Sequence, residues 1–173
     1  MKRRDLLKTT IGAGALMSFG TSVDGAPAGR APASERIRVG MIGVGGFGLG
    51  SNLPDFMSNA DVEIAAICDV DDANLDKAID LAGGKPKRVK DYRRVLDDRE
   101  IDAVVITTPE HWHALMCIDA CDAGKDVYVE KPAGHFIRES RLMVDAARRH
   151  NRVVQVGTQQ RSGAHFQRAV RYV

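Results

Sequence analysis

Six residues, Gly43-Val44-Gly45-Gly46-Phe47-Gly48, constrain this chain more than any other stretch. They fit G-x-G-x-x-G, a spacing that 17 glycines in 173 residues can produce by chance. Context argues against chance. The apolar run Ile37–Ile42 reads as a strand immediately before the loop, and a helical pattern follows it. In a strand–loop–helix unit each glycine has a task. Gly43 permits the tight turn, Gly45 lets a pyrophosphate approach the backbone, and Gly48 lets the helix lie close to the strand. The unpartnered N–H groups of the helix start, with the helix dipole, favour a phosphate there; Val44, Gly46 and Phe47 complete the loop. The helix is expected to reach about Asn59. Pro54 removes a hydrogen bond and crowds the preceding turn, so a kink or a later helix start is expected.

Beyond the loop, short apolar runs alternate with helical patterns. Val62–Cys68, Lys87–Val89, Ala103–Ile106, Val127–Glu130 and Val153–Gly157 read as further strands. Helices are expected at Ala73–Leu81, Tyr92–Leu96, Trp112–Ala123, Arg138–His150 and from His165 onward. Continuously apolar strands are those covered by helices on both faces. Strand–helix alternation implies an α/β fold, a Rossmann-type doubly wound parallel sheet with right-handed crossovers. Six strands make a full dinucleotide-binding set.

Such a site also needs an acid about 20 residues further on, at the end of the second strand. Asp69 follows Cys68 and meets that requirement. Its carboxylate can accept bonds from both ribose hydroxyls and would repel a 2′-phosphate, and Val70-Asp71-Asp72 offers no cation to neutralise one. NAD is therefore expected over NADP. The alternative for Asp69 is a solvated carboxylate capping the helix near Asp72, a task open to Asp71 or Asp72 as well.

Two later stretches fall at carboxyl ends of strands, where a doubly wound sheet lines its ligand crevice. Thr107-Thr108-Pro109-Glu110-His111-Trp112-His113 follows the fourth strand. His111 and His113 are two apart and would not share a helix face, which argues against a metal pair. His113 is expected to orient the loop or the cofactor. Glu130-Lys131-Pro132 follows the fifth strand, and a lysine there can bind a substrate hydroxyl or tune its ionisation during hydride transfer. The alternative is an ordinary surface lysine. Cys117 and Cys121 share a helix face, and buried packing thiols are expected in preference to a metal site, which needs more ligands. No metal is expected.

The net charge of +2 is concentrated at the front. Lys2, Arg3, Arg4, Lys8 and Arg30 face only Asp5 and Asp24 within residues 1–33, leaving the rest near neutral. A nucleic-acid partner would require a clustered basic face, and none is expected. Residues 1–33 instead look like a targeting segment and linker, with 34–173 as the dinucleotide-binding domain. Arg3-Arg4-Asp5-Leu6-Leu7-Lys8, a short apolar run and Ala-Pro-Ala stretches resemble a twin-arginine signal, implying export to the periplasm or beyond after cytoplasmic folding. The run is too short to span a membrane, so no stable anchor is expected.

In their order, the glycine loop, Cys68-Asp69-Val70-Asp71, Thr108-Pro109 through His113, Ala123-Gly124-Lys125 through Glu130-Lys131-Pro132, and Val156-Gly157-Thr158-Gln159-Gln160-Arg161 resemble the Gfo/Idh/MocA family. The resemblance covers about residues 36–173. It implies an NAD(P)-dependent oxidoreductase acting on a sugar, polyol or derivative, with Lys131 beside the nicotinamide and the reacting hydroxyl. It also implies cofactor contacts at Thr108, Pro109, His113, Glu130 and Arg161. Glu110 stands where the family often has Asn, Asp126 where it often has His, and Gln159 where Asn is usual. Family members carry a second, substrate-binding domain that supplies further catalytic groups and usually the oligomer contacts. That domain lies outside this sequence, so weak dinucleotide binding, little turnover, and oligomerisation only through the second domain are expected. Two other functions resemble parts of the pattern. One is an NAD-dependent glycosidase of the same family, which commonly has Glu-Val-Pro where Glu130-Lys131-Pro132 stands. The other is a non-catalytic dinucleotide-binding module.

Overall fold

The computed structural model describes residues 35–172, so the twin-arginine-like leader lies outside the described residues. Six strands form one parallel sheet: β1 (Ile37–Ile42), β2 (Val62–Cys68), β3 (Lys87–Val89), β4 (Ala103–Ile106), β5 (Asp126–Glu130) and β6 (Val154–Gly157). Their spatial order is β3-β2-β1-β4-β5-β6. β1 pairs with β2 on one side and β4 on the other, so the order reverses at β1, where a doubly wound sheet opens its crevice.

Side chains alternate across the sheet and build two cores. Ile42, Ala66, Cys68, Val104, Ile106, Val127 and Val129 pack on one face against α3 (Tyr92–Asp97), α4 (Glu110–Asp122) and α5 (Ile137–Arg149). Val39, Met41, Ile67 and Val105 pack on the other against α1 (Leu53–Ser58) and α2 (Asp72–Leu81). Each fully buried Ile, Leu or Met contributes roughly 1.5–3 kcal/mol of transfer free energy. α6 (Ala164–Val170) buries nothing and follows a 3-10 turn at Gln159–Ser162. Among the described residues no helix is long and apolar enough to cross a membrane.

The region around Pro54 takes a form between the two expected. The chain is helical before the proline, but Gly48–Asn52 is a π-turn, closed by the Leu53 N–H on the Gly48 carbonyl. α1 then begins with Pro54 in its first turn. In an α-turn the proline ring would crowd the carbonyl four residues back. One extra residue in the turn removes that conflict without a sharp kink.

Candidate functional site

The glycine loop is fixed from three directions. Gly43 has φ of +85°, a left-handed conformation that glycine adopts at no steric cost. A Cβ there would lie 2.8 Å from the backbone of Thr107 and Thr108, so the loop after β4 also demands glycine. The Gly43 N–H donates to the Cys68 carbonyl at 2.8 Å, tying the loop to β2. Gly48 faces the Gly43 carbonyl so closely that a Cβ would overlap its oxygen. Gly46 and Phe47 are exposed, and a Cβ on Gly46 would meet nothing within 4 Å. The loop is thus crowded behind and open in front. Its open side carries the N–H groups of a helix's first turn, which have no intrahelical partner.

Asp69 stands directly behind this loop. Its Oδ2 accepts the Val44 N–H at 2.8 Å, and its Oδ1 accepts the Asp71 N–H at 2.9 Å. The capping task at α2 belongs to Asp71, which accepts the Ala73 N–H at 2.8 Å. Asp69 therefore serves no helix. Each of its oxygens retains a lone pair beside a cavity of about 640 Å³.

Gly43, Gly45, Asp69, Thr108 and Pro109 all line that cavity. Lys90 of the β3–α3 connection and Tyr92 and Arg93 of the first turn of α3 line it too, as do Trp112 and Met116 of α4. The residues present fit the adenosine half of a dinucleotide: an apolar slot, an acid at its rim and an open glycine turn at its inner end. Both cations at the rim are already engaged. Lys90 Nζ donates to the Val70 carbonyl at 2.7 Å and pairs with Asp72 at 2.9 Å. Arg93 pairs with Asp91 at 3.1 Å and lies over the Tyr92 ring.

The remaining expected residues lie along the β4–β6 side. His113 is 2 % exposed and does not line the cavity. Its Nδ1 lies 2.7 Å from the Pro132 carbonyl oxygen and its Nε2 2.8 Å from that of Thr108. It therefore clamps the loop after β4 to the loop after β5, an orienting role. Lys131 is exposed at the end of β5, and the Lys131–Pro132 bond is cis. Arg161 is exposed on the 3-10 turn after β6, away from the cavity lining.

Glu130 is buried at 4 % exposure, at the centre of a network. Its Oε1 accepts from Gln159 Nε2 at 2.6 Å, Asn52 Nδ2 at 3.2 Å and the Tyr128 hydroxyl at 3.4 Å. Its Oε2 accepts the Lys131 N–H at 3.1 Å. Burial and the Glu130 carboxylate push the Tyr128 hydroxyl up from its ordinary pKa, so it remains a donor. Asn52 was not evident from the sequence. Its amide also donates to Thr107 Oγ1 at 2.9 Å, so one side chain joins the π-turn to the ends of β4 and β5. The one signal for it is a lone amide four residues after Gly48, on the helix face that meets the sheet.

Comparison with known proteins agrees with this geometry. A family model described as the Gfo/Idh/MocA oxidoreductase family, NAD-binding Rossmann fold, matches residues 37–158. A glycosyl hydrolase family 109 protein 1 of Shewanella sp. strain ANA-3 is 39% identical over 127 residues, covering 69% of this chain and 28% of the relative. An alpha-N-acetylgalactosaminidase of Shewanella oneidensis is 39% identical over 128 residues, with the same shares. The chain thus spans little more than a quarter of the curated relatives it matches. Among solved structures, myo-inositol 2-dehydrogenase from Lactobacillus plantarum superimposes with a TM-score of 0.71 at 28% identity, over 78% of this chain and 40% of that one. Scyllo-inositol dehydrogenase from Lactobacillus casei, solved with NAD(H) and scyllo-inositol, gives 0.72 at 26% identity, over 78% and 39%. With the strand order, the glycine turn and the matched residues in agreement, the chain belongs to the Gfo/Idh/MocA oxidoreductase family and carries its NAD-binding Rossmann domain.

Proposed function

We propose that this chain is the dinucleotide-binding half of an NAD-dependent oxidoreductase that acts on a sugar, polyol or derivative. The observation that carries the reading is the placement of Asp69 and Lys131 at strand ends on opposite sides of the β1–β4 switch point. A dinucleotide across that crevice would have its adenosine ribose at one and its reacting ring near the other. The bound cofactor supplies the hydride acceptor. The glycine loop offers N–H groups to the pyrophosphate, and Asp69 offers acceptors to the ribose hydroxyls. Lys131, exposed at the end of β5, holds the substrate hydroxyl and manages its proton.

Asp69 also supports NAD over NADP. A 2′-phosphate would meet its charge, while Lys90 and Arg93 each already face an aspartate. Calorimetric titration tests this: NAD should bind at least about tenfold more tightly than NADP, a modest share of one charge–charge contact. Asp69→Asn should narrow the gap. Equal affinities in the wild type would overturn the assignment.

The inositol dehydrogenases among the structural relatives favour a polyol substrate. The glycosidase names among the curated relatives favour a second reading, glycoside cleavage with a transiently reduced cofactor. Lys131 supports the first. Supplying polyols and aryl glycosides to a longer protein that contains this chain separates them, by net NADH formation in one case and sugar release without it in the other. The 173 residues alone should turn over little, because both reactants must be held in one geometry. The twin-arginine-like leader supports export of the folded, cofactor-loaded protein. A reporter fused behind it should reach the periplasm, and should stay inside when Arg3 and Arg4 are replaced by lysine.

A further inference from the structure

Beside the crevice, at the end of β5, a buried carboxylate has no cationic partner. Glu130 accepts from two amides, a phenol and a backbone N–H, all neutral donors. Acceptor-only bonding of this kind is what an ionised carboxylate requires. Among the described residues no lysine, arginine or histidine forms an ion pair with it. Its neighbour Lys131 meets it through the backbone N–H, while the side chain is exposed.

The fold is shaped to hold this charge. A Cβ on Gly157 would fall 2.7 Å from both Glu130 Oε1 and the Tyr128 hydroxyl, so β6 is glycine where the carboxylate needs room. Asn52 reaches it from 78 residues away in the chain. Burying an unpaired carboxylate is strongly unfavourable unless donors or a cation compensate.

In a doubly wound sheet the two halves each take one nucleotide. The cavity that fits adenosine is lined by residues that follow β1, β2, β3 and β4, so the nicotinamide nucleotide falls toward the end of β5, where Glu130 stands. The oxidised nicotinamide ring is a cation and the reduced ring is neutral. We infer that Glu130 is a specificity-determining residue that makes the site prefer the oxidised dinucleotide over the reduced one. The inference rests on the dinucleotide reading above. It adds an electrostatic bias that drives oxidation of the substrate and speeds release of the reduced product.

Binding alone tests it, with NAD⁺ and NADH as probes and the ratio of their dissociation constants as the readout. Glu130→Gln should reduce the wild-type preference for NAD⁺ by roughly tenfold, as expected for one charge acting across a partly dry site. Gln159→Lys should reduce it too, because an ammonium on that exposed side chain keeps a donor on Glu130 while neutralising its charge. This variant alters the surface and carries the test if Glu130→Gln does not fold. Asn52→Leu removes a donor but keeps the charge, and Asp69→Asn acts at the far end of the crevice. Both should lower the two affinities together and leave the ratio within about twofold. If Glu130→Gln or Gln159→Lys changes both affinities by the same factor, Glu130 is structural and the inference fails. If the wild type binds neither dinucleotide, the functional reading fails with it.

Discussion

Lys125 is a lysine that the fold has taken out of solvent. It is 5 % exposed, and its Nζ donates to the Asp98 carbonyl at 2.6 Å and the Ile101 carbonyl at 2.8 Å. Burial pushes its pKa below the ordinary lysine value, against the opposing pull of Asp98 and Asp102. Its proton is therefore held less tightly folded than unfolded. Where the unfolded chain binds more protons, stability rises with pH, so Lys125 adds stability between its lowered value and the usual ~10.4. Lys125→Met orphans two carbonyls and should cost about 1–3 kcal/mol at pH 7. Denaturant titrations at neutral and alkaline pH should show the gap to wild type widening on the alkaline side. A gap that closes there would contradict the account. At the residue scale, the sequence made Asp69 legible because its spacing from the glycine loop is set by one β-α-β unit. Lys125, Asn52 and Glu130 were less so, since their partners arrive from 24 or more residues away and only tertiary contact defines them.

At the scale of elements, all six strands lie within a residue of their expected bounds, because all but β3, a short Lys-Arg-Val edge strand, are mostly apolar runs closed by a turn signal. Helix ends moved by up to two residues, the usual uncertainty of a frayed terminus. The π-turn was not legible, since the conflict between Pro54 and its preceding carbonyl has several local solutions and packing selects one. That turn shares Gly48 with the glycine loop, and the two glycines of the loop's second half have opposite surroundings. Gly48→Ala would drive a methyl into the Gly43 carbonyl, a backbone atom that cannot swing aside. It should cost about 1–3 kcal/mol by overpacking and displace the N–H groups that face the phosphates. Gly46→Ala points into open space and should leave stability within about 0.5 kcal/mol of wild type. Comparable losses in the two variants, measured by urea denaturation, would show that the crowding behind Gly48 does not define the loop.

At the scale of the whole molecule, the crevice is assembled from segments that follow β1, β2, β3 and β4, and they meet only when those strands are paired in the sheet. The unfolded chain holds no part of the site, so a dinucleotide binds the folded state alone and stabilises it by mass action. At 100 times its dissociation constant that contribution is about 2.7 kcal/mol. For a domain of this size it corresponds to a rise in Tm of roughly 10 °C. NAD should produce that rise in the wild type and NADP a smaller one at equal concentration. Asp69→Asn should lose most of the NAD effect, and should melt only a few degrees lower without ligand, because it gives up one of two backbone N–H bonds while Asp71 still caps α2. Lys125→Met should melt lower but keep the full shift, since its contacts lie at the opposite ends of the strands from the glycine loop. A ligand shift that fell in proportion to stability in both variants would mean that NAD reports general foldedness and not a crevice organised around Asp69.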